Sequence, residues 1–233
     1  MIQYPHVKFP VTAERAFTID QVRELIAAAQ ALNQEIIPYF QALSHATWIL
    51  SDPANRRFLE DPSCDNWYMT WCPRNPEMRA WFQQILDDTV EIFRPRYIHL
   101  ALDEVPYCSW QLCDRCKGTV SEELYRDTIL DYHGMLAARG VKMILWHDLF
   151  LPLPNLYDPD SKVPAVRVLD QLPKDIVMNV WTYEADAASI KQSADHFVQH
   201  GFEVLGAGFN RPDRVQGMAR VYASEPKGLG FLN

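Results

Sequence analysis

Two neighbouring carboxylates, Asp103 and Glu104, close an apolar run (Tyr97, Ile98, His99, Leu100, Ala101, Leu102) and precede Val105. Burying acids costs free energy, and chains tolerate the cost where the acids act as general acid, general base or electrostatic partner. Ordinary turn chemistry is the competing reading, with Asp103 capping a turn and Glu104 in solvent. Other chemistry-bearing residues also follow apolar runs. Ser44 and His45 come after the run 35–40, Trp146, His147 and Asp148 end or follow 142–146, and Trp181 with Tyr183 ends or follows 175–181. Tyr183 stands two residues beyond Trp181, on the same side of an extended strand. Flat indole rings suit the apolar faces of sugars. Trp48, Trp67, Trp71, Trp81 and Trp110 read instead as core or loop residues.

The elements that must position these groups alternate. Thr18 with Gln21 forms a capping box, after which Val22, Leu25, Ile26, Ala29 and Leu32 recur at helical spacing as far as Asn33. The run 35–40 (EIIPYF) fits a buried parallel strand. Asn75 followed by Pro76 starts a helix whose face carries Met78, Trp81, Phe82, Ile85 and Ile92, and Pro95 stops it. Strands are then predicted at 97–102, 142–146, 175–181 and 202–209, with a further one at 228–233. Helices fall between them at about 121–139 and 187–200, closed by Gly140 and Gly201, and another begins near Pro212. This alternation implies βαβ units and a parallel sheet, either doubly wound or closed into a barrel. His45, Asp103 with Glu104, Trp146 with Asp148, and Trp181 with Tyr183 lie at the C-terminal ends of four successive strands, which favours a (β/α)8 barrel. A doubly wound sheet would gather them at one crevice, and neither GxGxxG nor GxxxxGK[ST] is present to bind a nucleotide.

The chain of 233 residues is 48% hydrophobic with a formal net charge of -8, which suits one globular domain spanning 1–233 and argues against a nucleic-acid surface. No apolar run is long enough to cross a bilayer, and Met1 to His6 lack a basic start and apolar stretch, so a cytoplasmic location is expected. Five cysteines without a secretory signal are expected to be reduced. Cys113 and Cys116 form a CxxC with Cys108 nearby, and Cys64, Cys72 or a histidine would have to complete a tetrahedral zinc set. With no second CxxC, no metal and no cofactor are assigned. The redox reading is weaker, because this CxxC does not open a helix directly after a strand as in a thioredoxin-like unit.

The strand with His99 that ends in Asp103, Glu104 and Val105 resembles the signature of the family 20 glycoside hydrolases, the β-N-acetylhexosaminidases. Flanking segments resemble that family in the same order: Ile36, Ile37 and Pro38 before His45; Cys72, Pro73, Asn75, Pro76 and Glu77; Glu91, Phe93 and Tyr97 to His99; Trp146, His147 and Asp148; and Trp181. Family members usually carry two glycines before the acidic pair, where this chain has Ala101 and Leu102. The resemblance implies removal of terminal N-acetylhexosamine from a carbohydrate substrate by substrate-assisted, retaining catalysis. In that scheme Glu104 is the general acid and base, and Asp103 steadies the 2-acetamido group and pushes the Glu104 pKa upward. His45, Trp146, Asp148, Trp181 and Tyr183 would bind the sugar, with Tyr183 hydrogen-bonded to the acetamido group.

The barrel is expected to be incomplete. Its first strands, the arginine they supply in the family, and the late tryptophan and acids have no counterpart in this sequence. A truncated or divergent member, or a fragment closed by another polypeptide, follows, and open strand edges favour homo-oligomers. Two other readings stay open: a carbohydrate-binding barrel without catalysis, and a metal-dependent hydrolase using His45, His99, His147 and Asp103.

Overall fold

The computed structural model describes residues 2–7, 16–66, 69–106, 110–151, 165–181, 187–209 and 212–232. Its centre is a sheet of five parallel strands: β1 (Tyr97–His99), β2 (Lys142–Trp146), β3 (Val177–Trp181), β4 (Glu203–Ala207) and β5 (Gly228–Leu232). They lie side by side in chain order, β1-β2-β3-β4-β5. A doubly wound sheet reverses direction at a switch point. Here each strand adds to the same edge, and right-handed crossovers then put every connecting helix on one face, as in a barrel wall. The sheet is thus an arc of a singly wound α/β barrel.

A sixth strand position flanks β1. The His99 N–H donates to the Pro38 carbonyl at 2.9 Å, and the N–H groups of Phe40 and Ala42 donate to the carbonyls of His99 and Leu100 at 2.8 and 3.2 Å. The run 35–40 therefore lies parallel to β1 as expected. It registers only as an isolated bridge between Tyr39 and His99, and Pro38, having no N–H, cannot extend the ladder.

Among the described residues, six α-helices accompany the strands: α1 (Ile19–Ala31), α2 (Thr47–Leu50), α3 (Pro76–Phe93), α4 (Ser121–Ala137), α5 (Ala187–Gln199) and α6 (Pro212–Ser224). The Thr18 capping box forms as read, and Asn75 caps α3 with Pro76 at its first position. Arg94 ends α3 in a left-handed conformation, just before Pro95. The stripe predicted on α1 is only partly used, for Val22 is buried while Leu25 and Leu32 are exposed. Helix α4 packs on β2, α5 on β3 and β4, and α6 on β4 and β5.

Strand alternation separates two cores. Ile98, Leu100, Met143, Leu145, Met178 and Val180 join the helices in the main core. Ile144, Val177 and Leu205, with Ile37 and Tyr97, make a small cluster on the concave face. Among the described residues, no helix is long and apolar enough to cross a membrane.

Candidate active site

The acidic pair stands directly beyond the C-terminal end of β1, on a turn whose backbone is unusual. Ala101, Leu102 and Glu104 have φ of 58°, 67° and 48°. This left-handed region costs a residue with a Cβ roughly 1–2 kcal/mol. It also ends β1 at His99, short of the predicted 97–102. The two glycines usual in the resembled family would adopt such angles without that cost. This chain makes the same kind of turn with Ala101 and Leu102, and both side chains are fully buried. Three side chains hold the turn. The Tyr125 hydroxyl donates to the Leu102 carbonyl at 2.6 Å, the Ser44 hydroxyl donates to the Asp103 carbonyl, and the His99 ring accepts the Ala101 N–H at 3.0 Å through Nδ1.

His45, itself at a φ of 52°, meets both acids. Its Nε2 lies 3.3 Å from Glu104 Oε2 and 3.7 Å from Asp103 Oδ2. All three side chains are close to buried yet reach the surface, at 9%, 14% and 15% exposure for His45, Asp103 and Glu104. The Glu104 backbone N–H donates to Asp148 Oδ2 at 3.0 Å. Asp148 is fully buried, so it steadies the turn from beneath the surface.

The floor beside this cluster is aromatic. The Trp146 ring lies 4.5 Å from His99 and 6.3 Å from Tyr39, centroid to centroid, and its Nε1–H donates to the Tyr39 hydroxyl at 3.2 Å. The Trp146 backbone N–H donates to the Ala101 carbonyl at 3.0 Å, joining the ends of β2 and β1. Trp181 is 7% exposed and turns an edge to His147 at 5.8 Å. Tyr183 lies outside the described residues.

Sequence reasoning missed Tyr39, Tyr125 and Asn179. Asn179 carried a readable signal, being the lone polar residue inside an apolar strand. Its amide lies 3.1 Å from His99 Nε2. Since Nδ1 of His99 accepts the Ala101 N–H, the neutral ring carries its proton on Nε2. Burial holds the His99 pKa down to about 3, so this imidazole is neutral.

The set His45, His99, His147 and Asp103 does not assemble. His147 Nδ1 receives the Trp181 N–H at 3.4 Å, and among the described residues only Glu104 joins His45 and Asp103 in a compact ligand-type group. A groove of about 320 Å³ lined by Gln34, Arg94 and Arg96 lies at the opposite end of β1, away from the acids.

A parallel barrel arc with two acids and a histidine converging where β1 ends matches the way α/β-barrel proteins gather their chemistry at the strand C-termini. Residues 4–208 match the glycosyl hydrolase family 20 catalytic domain, and the chain belongs to that family. It is 22% identical over 202 residues to a β-hexosaminidase of Vibrio furnissii, covering 81% of this chain and 29% of that protein. Its fold resembles a chitobiase of Flavobacterium johnsoniae (TM-score 0.66, 15% identity), covering 85% of this chain and 29% of that one. It also resembles an exo-β-N-acetylglucosaminidase of Vibrio harveyi in complex with N-acetylglucosamine (TM-score 0.59, 18% identity, 83% and 29% covered). The chain thus spans less than a third of the length of these relatives.

Proposed function

We propose that this chain carries the catalytic acids of a β-N-acetylhexosaminidase and, as one catalytic domain, releases terminal N-acetylhexosamine with retention of configuration. The observation that carries the reading is the convergence of Asp103, Glu104 and His45 on one turn. Ordinary retaining glycosidases need a second carboxyl across the glycosidic bond, about 5 Å from the acid, to act as nucleophile. Adjacent residues on a single turn do not bracket a sugar in that way, so the nucleophile must come from the substrate. The 2-acetamido oxygen attacks the anomeric carbon as the glycosidic C–O bond breaks, and the Glu104 proton passes to the leaving oxygen. Water then adds to the anomeric carbon, giving its proton to Glu104, and the acetamido oxygen departs. Asp103 supports the acetamido nitrogen as positive charge develops there.

His45 fixes the two carboxylates relative to each other and, with Trp146, binds the sugar. Trp181 stacks on the sugar, and by the family resemblance Tyr183 would hydrogen-bond the acetamido group. Asp148 acts as a positioning residue through the Glu104 backbone. Self-association of the chain would register in light scattering as a mass above that of one copy.

The test is a pair of aryl substrates, an N-acetyl-β-glucosaminide and the matching β-glucoside. Hydrolysis of the first alone supports attack by the acetamido group. Equal hydrolysis of both would require a protein nucleophile and overturn the reading.

A further inference from the structure

Apart from the acidic pair and His45, four potential ligands converge: Glu60, Cys72, Cys113 and Cys116. One ligand atom from each lies within 4.8 Å of all the others. Cys72 Sγ is 3.6 Å from Cys116 Sγ and 3.3 Å from Cys113 Sγ. A disulfide would need about 2.05 Å, whereas thiolates on a tetrahedral zinc with bonds of about 2.3 Å stand about 3.8 Å apart. The spacing is close to the second.

The framework presents these groups from two separate segments. An antiparallel bridge pairs Leu59 with Trp71, and the Glu60 and Cys72 N–H groups donate to the Thr70 and Phe58 carbonyls at 2.8 Å each. Glu60 and Cys72 therefore share one face of this short ladder, as diagonal neighbours. On the other side, the N–H groups of Cys116 and Lys117 both donate to the Cys113 carbonyl, at 3.1 and 2.9 Å. That turn directs both thiols of the CxxC inward. Arg74 ties the two segments together through the Arg115 carbonyl at 3.1 Å and the Thr119 hydroxyl at 2.8 Å.

Glu60 is the telling member. It is fully buried, and among the described residues its carboxylate meets no nitrogen or hydroxyl donor, only the Cys113 thiol. An uncompensated buried carboxylate is among the most costly groups a fold can carry. Here it faces sulfur atoms, and Cys72 and Cys116 are buried as well. A divalent cation neutralises the carboxylate, takes up the thiolates and accounts for all four residues together.

We propose that Glu60, Cys72, Cys113 and Cys116 form a tetrahedral site for one zinc ion, which staples the segment after His45 to the loop after Glu104. Its role is structural, because all four positions are filled by protein and none is left for water or substrate.

The experiment uses the full chain, purified under reducing conditions, with metal content measured and the metal-free protein then titrated with cobalt(II). The expected result is about one zinc per chain as isolated, and cobalt uptake that saturates at one equivalent with thiolate charge-transfer bands and the visible bands of a tetrahedral centre. Zinc should erase those bands and raise the thermal midpoint of the metal-free protein. Glu60→Gln, which keeps the shape, should weaken zinc binding by more than the about 10–100-fold that loss of an outer-shell partner costs. Absence of a tetrahedral cobalt spectrum in folded, reduced wild type would overturn the proposal. A mass lowered by two hydrogens, marking a disulfide among these cysteines in the isolated protein, would overturn it equally.

Discussion

The backbone N–H of Glu104 is held at 3.0 Å by the buried carboxylate of Asp148, so the residue after β2 sets the position of the acid after β1. Neither residue determines that geometry alone. Replacing Asp148 with Ala leaves the Glu104 N–H without this acceptor, at about 1–3 kcal/mol, and frees the turn. Asp148→Asn keeps an acceptor of the same shape. Hydrolysis of an aryl N-acetyl-β-glucosaminide should therefore fall at least tenfold further in Asp148→Ala than in Asp148→Asn, through kcat more than KM. Equal losses in kcat would mean that Asp148 contributes charge and not position.

The left-handed turn predicts an unusual response to glycine. At Ala101, glycine relieves roughly 1–2 kcal/mol of backbone cost and gives up about the same in chain entropy and a buried methyl. Ala101→Gly should be within about 0.5 kcal/mol of wild type by these opposing magnitudes. Ala42 is equally buried, and its φ is not positive. Ala42→Gly has no relief to offset its losses and should cost about 1.5–2 kcal/mol. Urea unfolding of the two variants measures the difference, and equal destabilisation would contradict the strained turn.

Two histidines predict acid lability. Burial holds the pKa of His99 and of His147 down to about 3, with a smaller contribution to His147 from His196. Unfolded, each would titrate near 6.5. Between about pH 6.5 and 3 the unfolded chain therefore binds protons that the folded chain refuses. The stability these neutral rings confer is fully present above pH 6.5 and is lost as the pH falls, at up to about 1.4 kcal/mol per pH unit for each ring. Imidazole NMR from pH 8 to 5 should show the His99 and His147 rings without a titration shift. A midpoint near 6.5 for either ring would contradict its buried, neutral state.

Much of this architecture was legible in the sequence, and the failures are physical. The run 142–146, apolar after Lys142, reads as a strand and forms β2 with those limits. The run 97–102 reads as one strand, but Ala101 and Leu102 carry no local mark of a left-handed turn, since tertiary hydrogen bonds from Tyr125 and Ser44 impose it. Asp103, Glu104 and His45 could be picked out because strand ends gather chemistry in parallel barrels. Asp148 looked like a sugar ligand from its motif, and its burial appears only once β1 and β2 lie side by side. Glu60 was invisible, because a lone glutamate before Asp61 and Pro62 has the composition of a surface loop, and the bridge that turns it toward the cysteines pairs residues 59 and 71.

The most direct test of the central claim is hydrolysis of a para-nitrophenyl N-acetyl-β-glucosaminide by the purified chain and by Glu104→Gln, with far-ultraviolet circular dichroism confirming that both are folded. Turnover in the wild type that falls by about 10²–10⁴-fold in the variant, the range set by loss of a general acid and base, is the predicted result. Undiminished turnover in Glu104→Gln, or none in a folded wild type, would contradict the assignment of catalysis to this pair of acids.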